Sequence, residues 1–318
     1  MKHIYNNICE HIGKKPNCSR NSLAFIVKEG IRIEEIIRYF PINISSLLHK
    51  AIKQNEKLAE QIQEIRIRVG RPIILKLQNL DILIEYIVNQ TEILQILEKI
   101  CENSIYAYKN QICNGYITIK GGHRIGITGS AVVENEKIIN IKYITSLNFR
   151  IARQVLNCSN KIIGQVIDEK NQDIYNTLIV SPPGRGKTTI LRDLIRNLSN
   201  GIDEINFKGR TCGVVDERGE IAAMYKGVPQ NDIGIRTDII ENISKAKGIK
   251  ILIRTMAPEI IACDEIGSKE DVEAIQEAII SGVKGIFTMH GRTLDDVKSN
   301  NQINKLIEEN KIEKIIFI

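Results

Sequence analysis

Apolar residues recur along this chain with two different rhythms, and the rhythm changes near residue 171. Residues 1–30 show no clear period and are expected to form a poorly ordered leader. Across 33–52 the apolar positions fall at helical spacing, interrupted at Pro41. From Glu64 onward they alternate, with Ile65, Ile67 and Val69 on one face and Arg66 and Arg68 on the other, as in a half-buried strand. Further strands are predicted over 73–77 and 82–88. A helix over 91–108 would place Ile93, Leu94, Leu97, Ile100 and Cys101 on one face, starting near Gln90 or Thr91. Short strands over 116–120 and 123–128 flank Gly121-Gly122, a hairpin signal. Residues 137–145 extend the sheet, and a helix is expected to begin over 149–155. Residues 31–170 thus read as a smaller α+β domain with helices beside an antiparallel sheet.

Beyond a polar linker expected at 168–176, strands and helices alternate. Strands are predicted over 177–180, 211–216, 259–264 and 285–289, with helices over 187–199 and 269–281 and a helical stretch near 241–248. That order implies an α/β domain with a parallel sheet over 171–318.

The first of those strands, Leu178-Ile179-Val180, runs into S-P-P-G-R-G-K-T-T, and an amphipathic helix follows at once. Gly184 and Gly186 permit the tight turn that aims successive N–H groups at phosphate oxygens. The helix start adds the positive end of its dipole. Ser181, Pro182, Pro183, Gly184, Arg185, Gly186, Lys187, Thr188 and Thr189 are therefore the candidate ATP cradle. Lys187 is spaced to reach the β and γ phosphates, and Thr188 to ligate Mg²⁺. Ser181 stands where the usual pattern has its first glycine.

A second apolar run ends in Asp264-Glu265, delivering two carboxylates to the carboxyl edge of the sheet. Asp264 can hold a water on Mg²⁺, and Glu265 can orient the water that attacks the γ phosphate. Two more strand ends carry V-V-D-E-R, with Asp216 and Glu217, and F-T-M-H-G, with His290. All four ends should gather along one edge.

Composition narrows the class. The net charge of +6 comes without a dense Lys/Arg tract or an aromatic-plus-basic segment, which disfavours nucleic acid as the partner. No apolar stretch approaches the roughly 20 residues a membrane span needs, and no signal peptide is visible, so a cytoplasmic protein is expected. Seven scattered cysteines without a C-x-x-C pair fit a reducing compartment. Cys9, His11 and Cys18 lack a fourth ligand at zinc-site spacing.

With these motifs in hand, the chain resembles P-loop ATPases of the additional-strand class, and within them the secretion-type ATPases. The likeness rests on T-M-H-G and on D-V-E-A-I-Q-E-A-I-I-S-G before it. The ordered set E-I-R-I-R-V-G-R-P, G-G-H-R-I-G-I-T-G, S-P-P-G-R-G-K-T-T-I-L-R-D-L, V-V-D-E-R-G-E-I-A and A-C-D-E-I-G is similar to the stage III sporulation AA family of endospore-forming bacteria. The resemblance spans about residues 34–295. It implies a RecA-like ATPase domain that uses ATP and Mg²⁺, works as a homo-hexamer, and serves membrane channel proteins of the sporulation complex from the mother-cell side. It matches Lys187 and Thr188 to the phosphate-loop lysine and metal ligand, Asp264 and Glu265 to the Walker B pair, and His290 to the histidine box. It also implies an arginine that neutralises the γ phosphate, for which Arg124 and Arg150 or Arg153 are the candidates. A nucleic-acid translocase and a nucleotide-binding scaffold with little turnover are the alternative readings.

Overall fold

The computed structural model describes residues 33–53 and 56–318. The leader expected at 1–30 and the Cys9, His11 and Cys18 group lie outside the described residues.

The first domain opens with helices α1 (Glu34–Ile37), α2 (Ile42–Lys53) and α3 (Glu56–Gln61). Its sheet is built from β1 (Glu64–Arg68), β2 (Pro72–Lys76), β3 (Asp81–Ile87), β4 (Tyr116–Thr118), β5 (Arg124–Glu134) and β6 (Lys137–Arg150). The order is β3-β2-β1-β6-β5-β4, and every pairing is antiparallel. In β1 the alternation works as read: Ile65 and Ile67 are buried while Arg66 and Arg68 face the other way. Helix α4 (Gln90–Ile100) covers the sheet with Ile93, Ile96 and Leu97. It is capped by Asn89, whose side chain accepts from the Glu92 amide at 3.0 Å while Glu92 accepts from the Asn89 amide at 2.9 Å.

Two expectations change here. The helix predicted over 91–108 stops at Ile100, because Glu102 and Asn103 turn the chain with φ of 50° and 62°. A short helix, α5 (Lys109–Cys113), follows a 3₁₀ turn at Ile105–Tyr108. The helix predicted to begin over 149–155 is absent, since β6 runs to Arg150, which pairs with both Glu64 and Arg124. Leu147 and Phe149 alternate inward there, and the Phe149 ring packs 4.7 Å from that of Phe40.

The second domain carries a six-stranded parallel sheet of β7 (Thr177–Ser181), β8 (Cys212–Asp216), β9 (Thr237–Glu241), β10 (Ile260–Cys263), β11 (Lys284–His290) and β12 (Lys314–Phe317). The order is β9-β8-β10-β11-β7-β12. The central strands are buried on both faces, which explains their unbroken apolar runs. On one face lie a four-residue helix, α6 (Ile163–Val166), and α7 (Lys187–Asn200), whose Leu191, Leu194, Ile195 and Leu198 pack on Ile179 and Val214. On the other lie α8 (Lys245–Met256), α9 (Lys269–Ile280), α10 (Leu294–Ser299) and α11 (Asn301–Glu308), packed on Val180, Val215 and Ile261.

Both edge strands escape the periodicity. The stretch read as helical near 241–248 is the end of β9, a turn, and the start of α8. β9 is only partly buried along its whole length, so no alternation marks it. β12, at the other edge, pairs with the phosphate-loop strand through Lys314↔Thr177 to Phe317↔Val180. The linker expected at 168–176 is a small ribbon, Ile167–Asp168 against Asp173–Ile174, whose Ile167 and Ile174 join the same core as α7.

Candidate functional site

The parallel register brings the loaded strand ends to one edge: Ser181 on β7, His290 beside it on β11, Asp264 just past β10, and Asp216 at the end of β8. Between β7 and α7 the loop turns through Gly184 at φ 74° and Gly186 at φ 87°, a left-handed region that costs other residues energy. Ser181 needs no such freedom. It is the last residue of β7, buried, and its hydroxyl donates to the Pro182 carbonyl at 3.1 Å. Arg185 is exposed at the loop tip.

Lys187 is buried at 4% exposure. Its Nζ donates to the Pro182 carbonyl at 3.3 Å and to His290 Nδ1 at 2.8 Å. An ammonium only donates, so Nδ1 accepts and Nε2 carries the imidazole hydrogen toward Glu265 Oε1, 2.7 Å away. Lys187, His290 and Glu265 thus form one connected chain. Thr188 donates its hydroxyl hydrogen to Asp264, tying the phosphate loop to β10. Thr288 donates to the other Asp264 oxygen and accepts from the Glu265 amide at 2.8 Å. Glu265 itself has φ 53°, an uncommon conformation for a non-glycine residue.

The acidic end of β8 behaves differently from a metal-binding pair. Asp216 is buried and accepts from the amides of Glu220 at 2.7 Å, Ile221 at 3.0 Å and Ala222 at 2.9 Å, so it holds the following turn. Burial nevertheless pushes its carboxyl above the ordinary range. Burial also raises Glu241 on the neighbouring strand, with the Asp216 charge adding to it. Glu217 pairs with Lys245 at the start of α8. Burial opposes the Lys245 charge, but the Glu217 contact prevails and its pKa is raised.

The candidate arginines separate. Arg124 bonds Glu220 at 2.9 Å and the Arg218 carbonyl, and lies 4.7 Å over the Tyr116 ring. Arg150 is exposed at the end of β6. Arg153 donates to the Ile62 carbonyl at 2.8 Å, inside its own domain.

Three contributors carried no role in the sequence reading. Arg218 bonds Glu265 Oε2 at 2.6 Å, Thr288 braces Asp264, and Lys245 holds Glu217. Arg218 and Thr288 were visible in V-V-D-E-R and T-M-H-G, but only the fold sets them against Asp264-Glu265. Lys245 had no signal.

The comparisons agree with this architecture. The family model for sporulation stage III, protein AA, matches residues 32–318. The chain is 34% identical over 284 residues to stage III sporulation protein AA of Bacillus subtilis (strain 168), covering 89% of this chain and 90% of that one. It is 29% identical over 187 residues to SEEDLING PLASTID DEVELOPMENT 1 of Arabidopsis thaliana, covering 58% of this chain and 24% of that one. Among solved structures, the ATPase DotB of Yersinia pseudotuberculosis superposes with a TM-score of 0.55 at 15% identity, over 95% of this chain and 80% of that one. The pilus retraction motor PilT superposes with a TM-score of 0.54 at 15% identity, over 83% and 75%. The chain therefore shares the fold of these two proteins, with a parallel-sheet α/β domain preceded by an antiparallel-sheet domain. On the matched span and the identity together, the chain belongs to the sporulation stage III protein AA family.

Proposed function

We propose that this chain is a Mg²⁺-dependent ATPase of the secretion-motor type that energises a channel complex between mother cell and forespore. The observation that carries the reading is the Thr188–Asp264 contact, which joins the phosphate loop to the carboxylate strand with Lys187, His290 and Glu265 alongside. A threonine hydroxyl and a carboxylate are hard oxygen donors of the kind Mg²⁺ takes, so the residues fit the ion. Thr188 would hold it directly and Asp264 through water, and bound Mg²⁺ would neutralise charge on the phosphate oxygens.

The loop from Ser181 to Thr189 receives the phosphates on its backbone amides. Lys187 gives up the Pro182 carbonyl for the β and γ phosphates. Glu265 accepts a hydrogen bond from the attacking water and aligns it with the γ phosphorus. His290, bonded to both Lys187 and Glu265, ties the setting of that carboxylate to the filling of the phosphate site.

Arg124 is committed within its own chain, which leaves exposed Arg150 as the candidate to reach a neighbouring copy. An arginine supplied across a subunit boundary couples successive sites, which favours a homo-hexameric ring. Membrane channel proteins of the sporulation complex would dock it on the mother-cell side. Among the described residues no helix is long and apolar enough to cross a membrane.

The test is Mg-ATP hydrolysis by the purified protein against Lys187→Ala, across protein concentration and with and without DNA. Turnover that rises with concentration, vanishes in the variant and ignores DNA supports the motor. Stimulation by DNA that falls steeply with salt would replace it with a translocase, and tight ATP binding without turnover would replace it with a scaffold.

A further inference from the structure

We propose that Arg218 is a positioning residue through which the first domain restrains Glu265, an inference that rests on Glu265 handling the attacking water. Both carboxylate oxygens of Glu265 are engaged. Oε1 takes His290 Nε2–H at 2.7 Å, and Oε2 takes an Arg218 Nη1–H at 2.6 Å. Charge-assisted bonds of this kind are the stronger class, so while both hold, the carboxylate is fixed in direction and water can use only the lone pair that each oxygen has left.

Packing does not hold Arg218 where it is, because its side chain is 65% exposed. Its backbone is what is held, and on the carbonyl side it is held by the first domain. The Arg218 carbonyl accepts from Arg124 Nη2 on β5 and from the Tyr116 hydroxyl on β4 at 3.3 Å. The other Arg124 nitrogen holds Glu220, and the guanidinium lies over the Tyr116 ring.

The turn around Arg218 is stiff enough to transmit that hold. Asp216 gathers the amides of Glu220, Ile221 and Ala222, and Gly219 makes the bend at φ 63°. The carbonyl of Arg218 therefore reports to one domain and its guanidinium to the other. A cleft of about 410 Å³, lined by Tyr116, Arg124, Glu217, Arg218 and Asn242 among others, leaves room for the side chain to swing out. Withdrawal of the first domain removes Arg124 from the carbonyl, Arg218 releases Oε2, and Glu265 keeps only its His290 partner.

The experiment measures steady-state Mg-ATP hydrolysis by the full chain as wild type, Arg218→Ala, Arg124→Ala, the double variant, Arg218→Lys and Glu265→Gln. Arg218→Ala should raise kcat about fivefold, the size of one exposed charged contact, with KM for ATP unchanged. Arg124→Ala should raise kcat in the same direction, and the double variant should be no faster than the faster single. Arg218→Lys should fall back toward wild type. A merely structural role would lower kcat or shift KM instead.

A kcat for Arg218→Ala at or below wild type, or effects of the two arginines that add in full, overturns the proposal. Glu265→Gln separates the failures. If it is inactive while Arg218→Ala is no faster than wild type, only the role of Arg218 falls. If it turns over normally, the role of Glu265 falls and takes that of Arg218 with it.

Discussion

Replacing Ser181 by glycine restores the usual first residue of the phosphate-loop pattern, and the structure predicts that this restoration gains nothing. A glycine is favoured where φ is positive, as at Gly184 and Gly186, or where a backbone must approach closely. Ser181 meets neither condition. It is extended at the end of β7, in register with His290 on β11, and 1% exposed. Its carbonyl accepts from the Gly291 amide at 3.2 Å, a bond glycine would keep. Its hydroxyl donates to the Pro182 carbonyl at 3.1 Å, a bond glycine would lose. The backbone-entropy penalty of glycine in a strand is roughly 0.5–1 kcal/mol, and a lost local hydrogen bond adds about 0.5–1 kcal/mol. Ser181→Gly should therefore destabilise the fold by about 1–2 kcal/mol and leave kcat for Mg-ATP within about twofold of wild type. Because the chain has no tryptophan, stability is best followed by far-UV circular dichroism in urea. Gly184→Ala is the contrast. An added Cβ meets no atom within 4 Å, so its cost is the left-handed backbone alone, about 1–2 kcal/mol, and it falls on ATP binding as the loop shifts. A Ser181→Gly variant several-fold faster than wild type would refute the reasoning, because it would mean the serine obstructs the loop in a way its geometry does not explain.

Two further perturbations test the surroundings of the site. Gly248 lies inside α8, where alanine would ordinarily add up to about 1 kcal/mol, yet a Cβ there would stand 2.5 Å from Val215 Cγ1 on β8. Overpacking should win by about 1–3 kcal/mol in urea melts, and Val215→Ala in the same chain should recover part of that loss; a more stable Gly248→Ala would contradict the close helix–sheet approach. His123 is 5% exposed and accepts from the Ala152 amide at 3.0 Å, and burial holds its pKa down at about 4, against 6.5 when unfolded. Between those values the unfolded chain binds more protons, so stability present above pH 6.5 is lost as pH falls toward 4, on the order of 3 kcal/mol. Urea midpoints at pH 7.5 and 4.5 should show that slope in wild type and a smaller one in His123→Asn.

What could be read from the residues in order, and what could not, follows from where each feature gets its constraint. The phosphate loop was legible because strand, turn and helix start must follow within a dozen residues. Gly184, Gly186, Lys187 and Thr188 accordingly stand where local geometry alone requires them. The buried strands were legible for a similar reason: two covered faces leave Leu178 to Val180 of β7 and all of β10 apolar. β9 and β12 were not, since an edge strand takes its identity from the neighbour it pairs with and only part of its surface is covered. The helix expected over 91–108 failed at Glu102 and Asn103, where left-handed turns interrupt a run that composition would let continue. The links of the site itself were the least legible. Arg218 and Glu265 are 47 residues apart, Thr188 and Asp264 76, and Lys187 and His290 103, and nothing local couples their identities. Asp216 shows the consequence most sharply. In sequence it looks equivalent to Asp264, an acid closing an apolar strand, but the chain after β8 folds back and fills both its oxygens with amides of Glu220, Ile221 and Ala222. Asp264 meets hydroxyls instead, from Thr188 and Thr288, which can yield an oxygen to a cation where an amide cannot. Two identical side chains at neighbouring strand ends thus take opposite parts, one holding a turn and one facing the phosphate loop, because of the partners that the tertiary fold presents to them.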